Sequence, residues 1–473
     1  TFTKGEVTVK TGLDHLKELG VTHVQIQPMY DYSSVDETTM DNTYGEDNYN
    51  WGYDPLNYNC LEGSYSSDPV DGFVRIKEAK QMIMKMHSNG ISINMDVVYN
   101  HTSGFLASNF QLLVPNYYYR TDLAGTPSNG SGCGNEMASE RFMVNKFIRE
   151  SCKFWVDEYH IDGFRFDLMG LIDNQTMIDV YNDCKVIYNK IMVYGEPWTG
   201  GGTTLKSGND ANKLSEQQTV QSSLAQSYFA GGSVMVGAFN DIIRNAVRGD
   251  NNPGKGFVNG SVGSAASILP GIKGQFNGSQ SSINPNQVIN YVSCHDNYTL
   301  NDQLKQTING DITYAYKQAE AIVFMSQGVP FIQEGEEFMR TKVKNNNFDH
   351  NSYVSGDLVN SMDYSLKVDN IQMFNYFKDL IAFRKNNSFL RMSTRADINE
   401  KLTDVKAVNG LISYKITTED SIYTFYHAGS STAVNLSKDN EVVFSTAGKT
   451  IGSVLSGDFV LAQNESIVLK ESK

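Results

Sequence analysis

No apolar run in these 473 residues approaches the ~18 needed for a membrane-spanning helix, so membrane insertion explains none of the chain. Cysteine is scarce. The five residues, Cys60, Cys133, Cys152, Cys184 and Cys294, are odd in number and show no Cys-x-x-Cys spacing. Neither a disulfide framework nor a structural zinc site is indicated, and mostly free, buried thiols are expected. Basic charge is in deficit: 39 Lys and Arg against 53 Asp and Glu leave a formal charge of -14. That balance repels nucleic acid and anionic membrane surfaces and points to a neutral substrate. Signatures of several enzyme classes are missing as well. There is no Gly-x-Ser-x-Gly elbow, no His-Glu-x-x-His helix and no Gly-x-Gly-x-x-Gly following a strand, which removes the usual marks of acyl transfer, zinc proteolysis and dinucleotide chemistry. Gly249 to Gly256 nearly spells a phosphate-binding loop, but it lacks the final Ser or Thr and does not lead from strand into helix, so it reads as a turn.

Aromatic residues are plentiful, with 26 Tyr and 24 Phe, which suits stacking on sugars and equally suits a large core. The length allows one barrel to take up most of the chain, with one small domain besides. Leu13, Leu16 and Leu19 fall at helical spacing between Thr11 and Gly20, and Val21–Pro28 then reads as a short buried strand. The unit recurs. Helices about Asp71–Met86, Arg141–Glu158 and Gln175–Lys190 lead to strands Ile91–Val98, Ile161–Asp167 and Ile191–Glu196. Further strands are expected at Met235–Asn240, Val288–Cys294 and Val329–Gln333, the last two separated by a helix near Ile312–Ser326. Seven strands with helical crossovers predict an α/β fold, a (β/α)8 TIM barrel whose first strand is absent from this chain.

After a helix around Phe374–Arg391 the texture changes to short β-rich runs at Leu411–Ile416, Ser421–Tyr426, Glu441–Ser445 and Phe459–Ala462. The expected organisation is a barrel over 1–393 and a small C-terminal all-β sandwich over 394–473. Two stretches rich in Gly, Ser, Asn and Gln, Gly200–Gly232 and Asp250–Gln287, are expected to be long surface loops near the site.

The polar residues cluster at strand ends. Asp96-Val97-Val98-Tyr99-Asn100-His101, Gly163-Phe164-Arg165-Phe166-Asp167, Tyr194-Gly195-Glu196-Pro197-Trp198 and Ser293-Cys294-His295-Asp296-Asn297 each close an apolar run. In a β/α barrel such ends open on one face, which carries the active site. Each run has a structural reading: Asp167 pairing with Arg165, Asp96 capping a strand, His295 as a satisfied buried histidine. Four converging carboxylate-bearing ends are harder to explain that way, because buried acids are costly. Glycosidic bond cleavage needs one carboxylic acid and one carboxylate, and three acids here offer candidates. Ahead of them, Tyr49-Asn50-Trp51-Gly52-Tyr53-Asp54-Pro55 places aromatic faces and a carboxylate in a loop punctuated by Gly and Pro. These residues make ordinary turns as well as sugar-binding loops.

The four strand-end runs resemble, in order, the signature regions of the α-amylase superfamily, and the loop at 49–55 resembles the additional mark of type I pullulanases. The resemblance covers residue 11 to about 390. It implies a retaining hydrolase of α-1,6 branch linkages in pullulan, amylopectin and limit dextrins. Carried over, Asp167 is the nucleophile, Glu196 the general acid/base and Asp296 the third acid, which holds sugar hydroxyls and steadies the oxocarbenium-like transition state. Arg165, two residues before Asp167 and on the same strand face, would keep that carboxylate ionised, while Glu196 has to stay protonated at working pH. His101 and His295 would donate hydrogen bonds to the sugar in the cleaved subsite, and Asn297 would bind substrate. Tyr53 would stack beneath that sugar, Asp54 would bind hydroxyls, and Trp198 would form a platform on the leaving-group side. The segment Gly335–Lys342 resembles the one after the last strand in pullulanases, with Asn351 and Tyr353 as weaker candidates for substrate contact.

Two departures matter. The calcium site of many amylases uses an Asn, present here as Asn100, and a Lys-His pair after the nucleophile, where this chain has Leu168-Met169-Gly170. No required metal or other cofactor is therefore expected, and a surface calcium is left open. Relatives also have a strand, and commonly accessory β-domains, ahead of the helix near Thr11. A segment preceding Thr1 is expected to supply the missing strand between Val21–Pro28 and Val329–Gln333. Competing readings are an α-1,4-acting amylase or glucan transferase, against which the 49–55 loop argues, a silent sugar-binding homologue, against which the intact acids argue, and a truncated piece needing complementation.

Overall fold

The structure is a computed structural model, and it describes residues 1–39, 48–205, 234–276 and 283–473. The chain packs as two compact units: one holds Val21–Phe239 with Ser352–Ser361, the other Thr1–Gly20, Asn240–Asn351 and Met362–Lys473.

In the first unit, strands His23–Ile26, Ser92–Val97, Gly163–Phe166, Met192–Gly195 and Val236–Phe239 pair in chain order, each parallel to the next. Helices Gly72–His87, Phe142–Tyr159 and Asn174–Ile187 provide crossovers between strands. Each expected strand is present, trimmed by one or two residues at its ends, and each expected helix is present with bounds shifted by one to three residues. Alternation along the strands explains the layering: Ile93, Met95, Val97, Phe164 and Phe166 are buried on one face, and Asn94, Asp96, Arg165 and Tyr194 lie on the other. The polar face is built in levels. Tyr194 donates to Gln25 Oε1 (2.8 Å) and accepts from Asn94 Nδ2 (3.3 Å), and Arg165 donates to Asp96 Oδ1 (2.9 Å).

The second unit contains a parallel pair, Val288–Asn290 and Val329–Pro330, and helices Gly12–Leu19, Thr313–Met325 and Ile371–Asn386. Residues Phe2–Lys4 and Val7–Val9 pair with each other as an antiparallel hairpin. The C-terminal β region is, as expected, an all-β unit, its six strands hydrogen-bonded in one antiparallel order. The 14-residue strand Thr432–Ser445, interrupted by register shifts, pairs with two neighbours and keeps the ladder unbroken. Ala428, Val434, Val442, Leu461, Ile467 and Leu469 form a core on this sheet.

The 250–287 stretch departs from the surface-loop expectation. Phe257, Val258, Ala265, Ile268 and Ile272 are buried, and Ala265–Ile272 is helical, because Ile268 and Ile272 are one helical turn apart and share a face. Residues 206–232 of the other expected loop lie outside the described residues. The phosphate-loop lookalike is a turn: helix Asp241–Arg248 ends at Gly249, whose φ is 93°. All five cysteines are free, but only Cys152 and Cys184 are buried. Among the described residues no helix is long and apolar enough to cross a membrane.

Candidate active site

Ladder register assembles the centre of the site. Asp96 pairs with Arg165 and Arg165 with Tyr194 on successive strands, so the three share one level and one face. One step beyond the Phe166–Gly195 pair the chains leave their strands. There Asp167 N–H donates to the Val97 carbonyl (2.9 Å) and Glu196 N–H to the Phe166 carbonyl (3.1 Å).

Three carboxylates meet one guanidinium. The Arg165 side chain is 3% exposed; its Nη1 donates to Asp96 Oδ1 (2.9 Å) and Asp167 Oδ1 (3.1 Å), and its Nη2 pairs with Glu196 Oε1. Asp167 Oδ2 accepts from Asn100 Nδ2 (2.8 Å), which also donates to the Asp167 carbonyl (2.9 Å). Leu168 sits in the left-handed region (φ 39°), strained for a residue with a side chain, and so aims its N–H at Glu196 Oε2 (2.9 Å). Burial pushes the Asp96 carboxyl up to about 7, although Arg165 and the Tyr53 hydroxyl both favour its ionised form. His101 is buried, which lowers its pKa with Asp167 opposing, and its Nδ1 meets Asn100 Oδ1 at 2.5 Å.

The 49–55 loop is anchored to this cluster. Gly52 has φ 92°, and a Cβ there would come within 2.8 Å of the Tyr32 ring, so the turn requires glycine. Tyr53 donates its hydroxyl to Asp96 Oδ2 (2.7 Å), and the Arg165 guanidinium lies 5.7 Å from its ring centre. Trp51 is 6% exposed and packs edge-on against Tyr53 and Tyr353, so its indole supports the loop from below. Asp54 is half-buried and accepts from the Ser34 hydroxyl (3.1 Å); burial is the main cause of its raised pKa. Tyr353 is exposed, and its carbonyl receives the Trp51 N–H (3.1 Å). Trp198 is partly exposed and its backbone presses on Gly170, where a Cβ would sit 2.4 Å from the Trp198 carbonyl oxygen.

The other unit carries the remaining candidates. His295 and Asp296 form a turn with Nε2 3.7 Å from Oδ2, and Asn297 completes it in the left-handed region (φ 64°). Behind it, buried Lys342 donates to the His295 carbonyl (2.8 Å), and Ser293 donates its hydroxyl to Glu336 Oε1 (2.7 Å). Asn351 is exposed, and its N–H bonds to Asp349 Oδ1 (3.0 Å).

Sequence reasoning missed several supports. Asp96 was counted among the strand-end carboxylates but given no role in the site. Buried Glu136 accepts from Gly130 N–H (2.7 Å), the Thr203 hydroxyl (2.6 Å) and Arg120 (3.3 Å), tying together loops whose sequence separation left no signal. Among the described residues one acidic group has metal-like spacing: Asp31, Glu37 and Glu62, with ligand atoms within 4.8 Å of one another. Arg75 already pairs with both oxygens of Glu37 there, at 2.7 Å each.

The family model for the alpha amylase catalytic domain matches residues 7–111 and 134–372. The chain is 37% identical to a pullulanase of Bacillus subtilis over 421 residues, covering 87% of this chain and 55% of that protein. It is 33% identical to pullulanase A of Streptococcus pneumoniae over 475 residues, 88% of this chain and 36% of that one. It thus spans about half, or less, of these curated relatives. Among solved structures, a pullulanase from Bacillus acidopullulyticus overlaps with a TM-score of 0.87 at 39% identity, over 99% of this chain and 56% of that one. A pullulanase from Paenibacillus barengoltzii, complexed with maltohexaose and alpha-cyclodextrin, overlaps at 0.86 with 36% identity, over 100% of this chain and 72% of that one. The fold class is that of these proteins, a TIM barrel followed by a β-domain.

Proposed function

The chain belongs to the α-amylase family as a pullulanase-type member, and from that premise we propose that it is a retaining, endo-acting glycoside hydrolase of α-1,6 branch bonds. The substrates are pullulan, amylopectin and limit dextrins. Glu196 gives its proton to the leaving glycosidic oxygen as the bond to the anomeric carbon breaks, and Asp167 attacks that carbon to form a glycosyl ester. Glu196, now a carboxylate, takes a proton from water, which attacks the same carbon and releases Asp167. Asp296 binds hydroxyls of the sugar under attack and stabilises the positive charge that develops on it.

The observation that carries this reading is the shared guanidinium. Asp167 and Glu196 rest on the two nitrogens of Arg165, with Asp96 behind. Two carboxylates tied to one guanidinium are held close together, which favours the ~5–5.5 Å spacing of retaining enzymes over the ~6.5–9.5 Å of inverting ones. Arg165 and Asn100 hold and aim the Asp167 carboxylate. Tyr53, locked by its hydroxyl, offers the sugar a fixed ring, and Asp54, His101, His295, Asn297, Trp198, Asn351 and Tyr353 supply further contacts. The bound oligosaccharides of the Paenibacillus barengoltzii neighbour support an α-glucan as ligand.

The test is a pullulan digest with products separated by size. Maltotriose is expected; panose-type products would indicate α-1,4 cleavage, and no product would refute hydrolysis by this chain. Proton NMR of the first product tests retention through appearance of the α-anomer.

A further inference from the structure

The His295–Asn297 turn presents a carbonyl inward and a carboxylate outward. The Asp296 side chain is 45% exposed, while the His295 carbonyl points back to a lysine whose own side chain is buried. We infer that Lys342 is a positioning residue of the reaction, its buried ammonium fixing the turn so that Asp296 meets the sugar in the productive orientation. The inference rests on the assignment of Asp296 as third acid.

The contact is rigid at both ends. Lys342 Nζ donates to the His295 carbonyl at 2.8 Å. The backbone around it is clamped by Asp302: Lys342 N–H donates to Oδ2 (2.8 Å) and the Thr341 hydroxyl to Oδ1 (2.5 Å). Asp302 is itself buried in the first turn of helix Leu300–Thr307, which begins three residues after Asn297. One helix start therefore ties down both the turn and the cation that holds it. Asn297 closes the turn in the left-handed conformation, which asparagine tolerates.

A purely structural role is a poor explanation for a charge at this place. Burying an ammonium is costly, and an apolar side chain of equal length avoids that cost, which offsets the loss of the one hydrogen bond to the His295 carbonyl. Here burial brings Lys342 down to about 8, and Arg340 pushes the same way, against Asp296, Cys294 and Asp349. Asp302 faces the backbone of the same residue. A cation kept under that pressure beside the residue preceding a catalytic acid has a use in charged form, since charge-assisted hydrogen bonds are roughly twice as strong as neutral ones. Losing its proton as pH rises past about 8 weakens the hold on the turn.

The experiment measures kcat and KM for maltotriose release from pullulan across about pH 5 to 9.5, with Tm alongside. Wild type should show an alkaline limb near about 8. Lys342→Met should keep its Tm, lose about 100-fold in kcat with KM little changed, and lack that limb. Lys342→Arg, with a fixed charge, should recover part of kcat and move the limb upward. In an Asp296→Asn background Lys342→Met should cost nothing more, because it acts through Asp296. Wild-type kcat and an unchanged limb in Lys342→Met would overturn the inference. Should that variant not fold, a wild-type profile without the limb overturns it equally. Full activity in Asp296→Asn would overturn instead the assignment on which it rests.

Discussion

Replacing Arg165 by Gln removes the one cation shared by Asp96, Asp167 and Glu196 in a pocket where the guanidinium is 3% exposed. Breaking a buried pair by deleting one partner costs ~3–5 kcal/mol, and here several acids lose their partner together. The cost should depend on pH. Asp96 titrates at about 7 in the folded protein against 3.8 as its reference, so the fold favours its protonated form. That stabilisation is complete below the reference value and is lost as pH rises through about 7. Without Arg165 its folded pKa rises further, since Arg165 is the largest opposing influence. Between the reference and about 7, wild type and variant both keep Asp96 protonated, so this group adds no difference. Above it only wild type ionises, and the gap widens by about 1.36 kcal/mol per pH unit, or roughly 2 kcal/mol by about pH 8.5. Urea unfolding at about pH 6 and about pH 8.5 measures both parts. Adding Asp96→Asn should restore stability to Arg165→Gln and flatten its pH dependence. Pullulan hydrolysis should fall by about 100-fold or more, because Asp167 and Glu196, the proposed nucleophile and acid, lose their alignment. A variant as stable as wild type at both pH values, or a penalty that does not grow with pH, refutes the reasoning.

Asp167→Asn should abolish turnover while leaving oligosaccharide binding, measured by calorimetry, because it deletes the proposed nucleophile and keeps the shape; retained hydrolysis would refute its role. Glu196→Gln should lose far more activity on pullulan than on a substrate with an activated leaving group, and equal losses in rate assays would remove it as the acid. In the C-terminal sheet, burial lowers His427 to about 3, so it folds as a neutral ring beside Ser466. Its folded pKa lies below the unfolded ~6.5, so its stabilisation is present above that value and is lost as pH falls toward about 3. Between about pH 6.5 and 4.5 wild type should lose about 2–3 kcal/mol more than His427→Asn in urea unfolding, and parallel losses would sink this account.

The alternation of helix and strand was legible along the chain because each element carries its own period: leucines at helical spacing before Gly20, and apolar runs ending in polar clusters at Asp96, Asp167 and Glu196. The loop 49–55 and four strand-end runs were legible as motifs, since each is contiguous. Asp31, Glu37 and Glu62, or Glu136 with its three donors, gave no such signal, because their partners come from separate segments. The tertiary structure alone decided that Trp51 is support while Tyr53 faces the cluster, that Phe257, Val258, Ala265, Ile268 and Ile272 are buried, and that the C-terminal strands form a single ladder. It alone set Asp96 level with Arg165, 69 residues on, and Lys342 behind His295, 47 residues away. The physical reason is one of range. Local periodicity and turn chemistry act over a few residues and are written in the sequence, whereas the charge balance of a buried site depends on strand register and helix packing that bring distant residues within a hydrogen bond of one another.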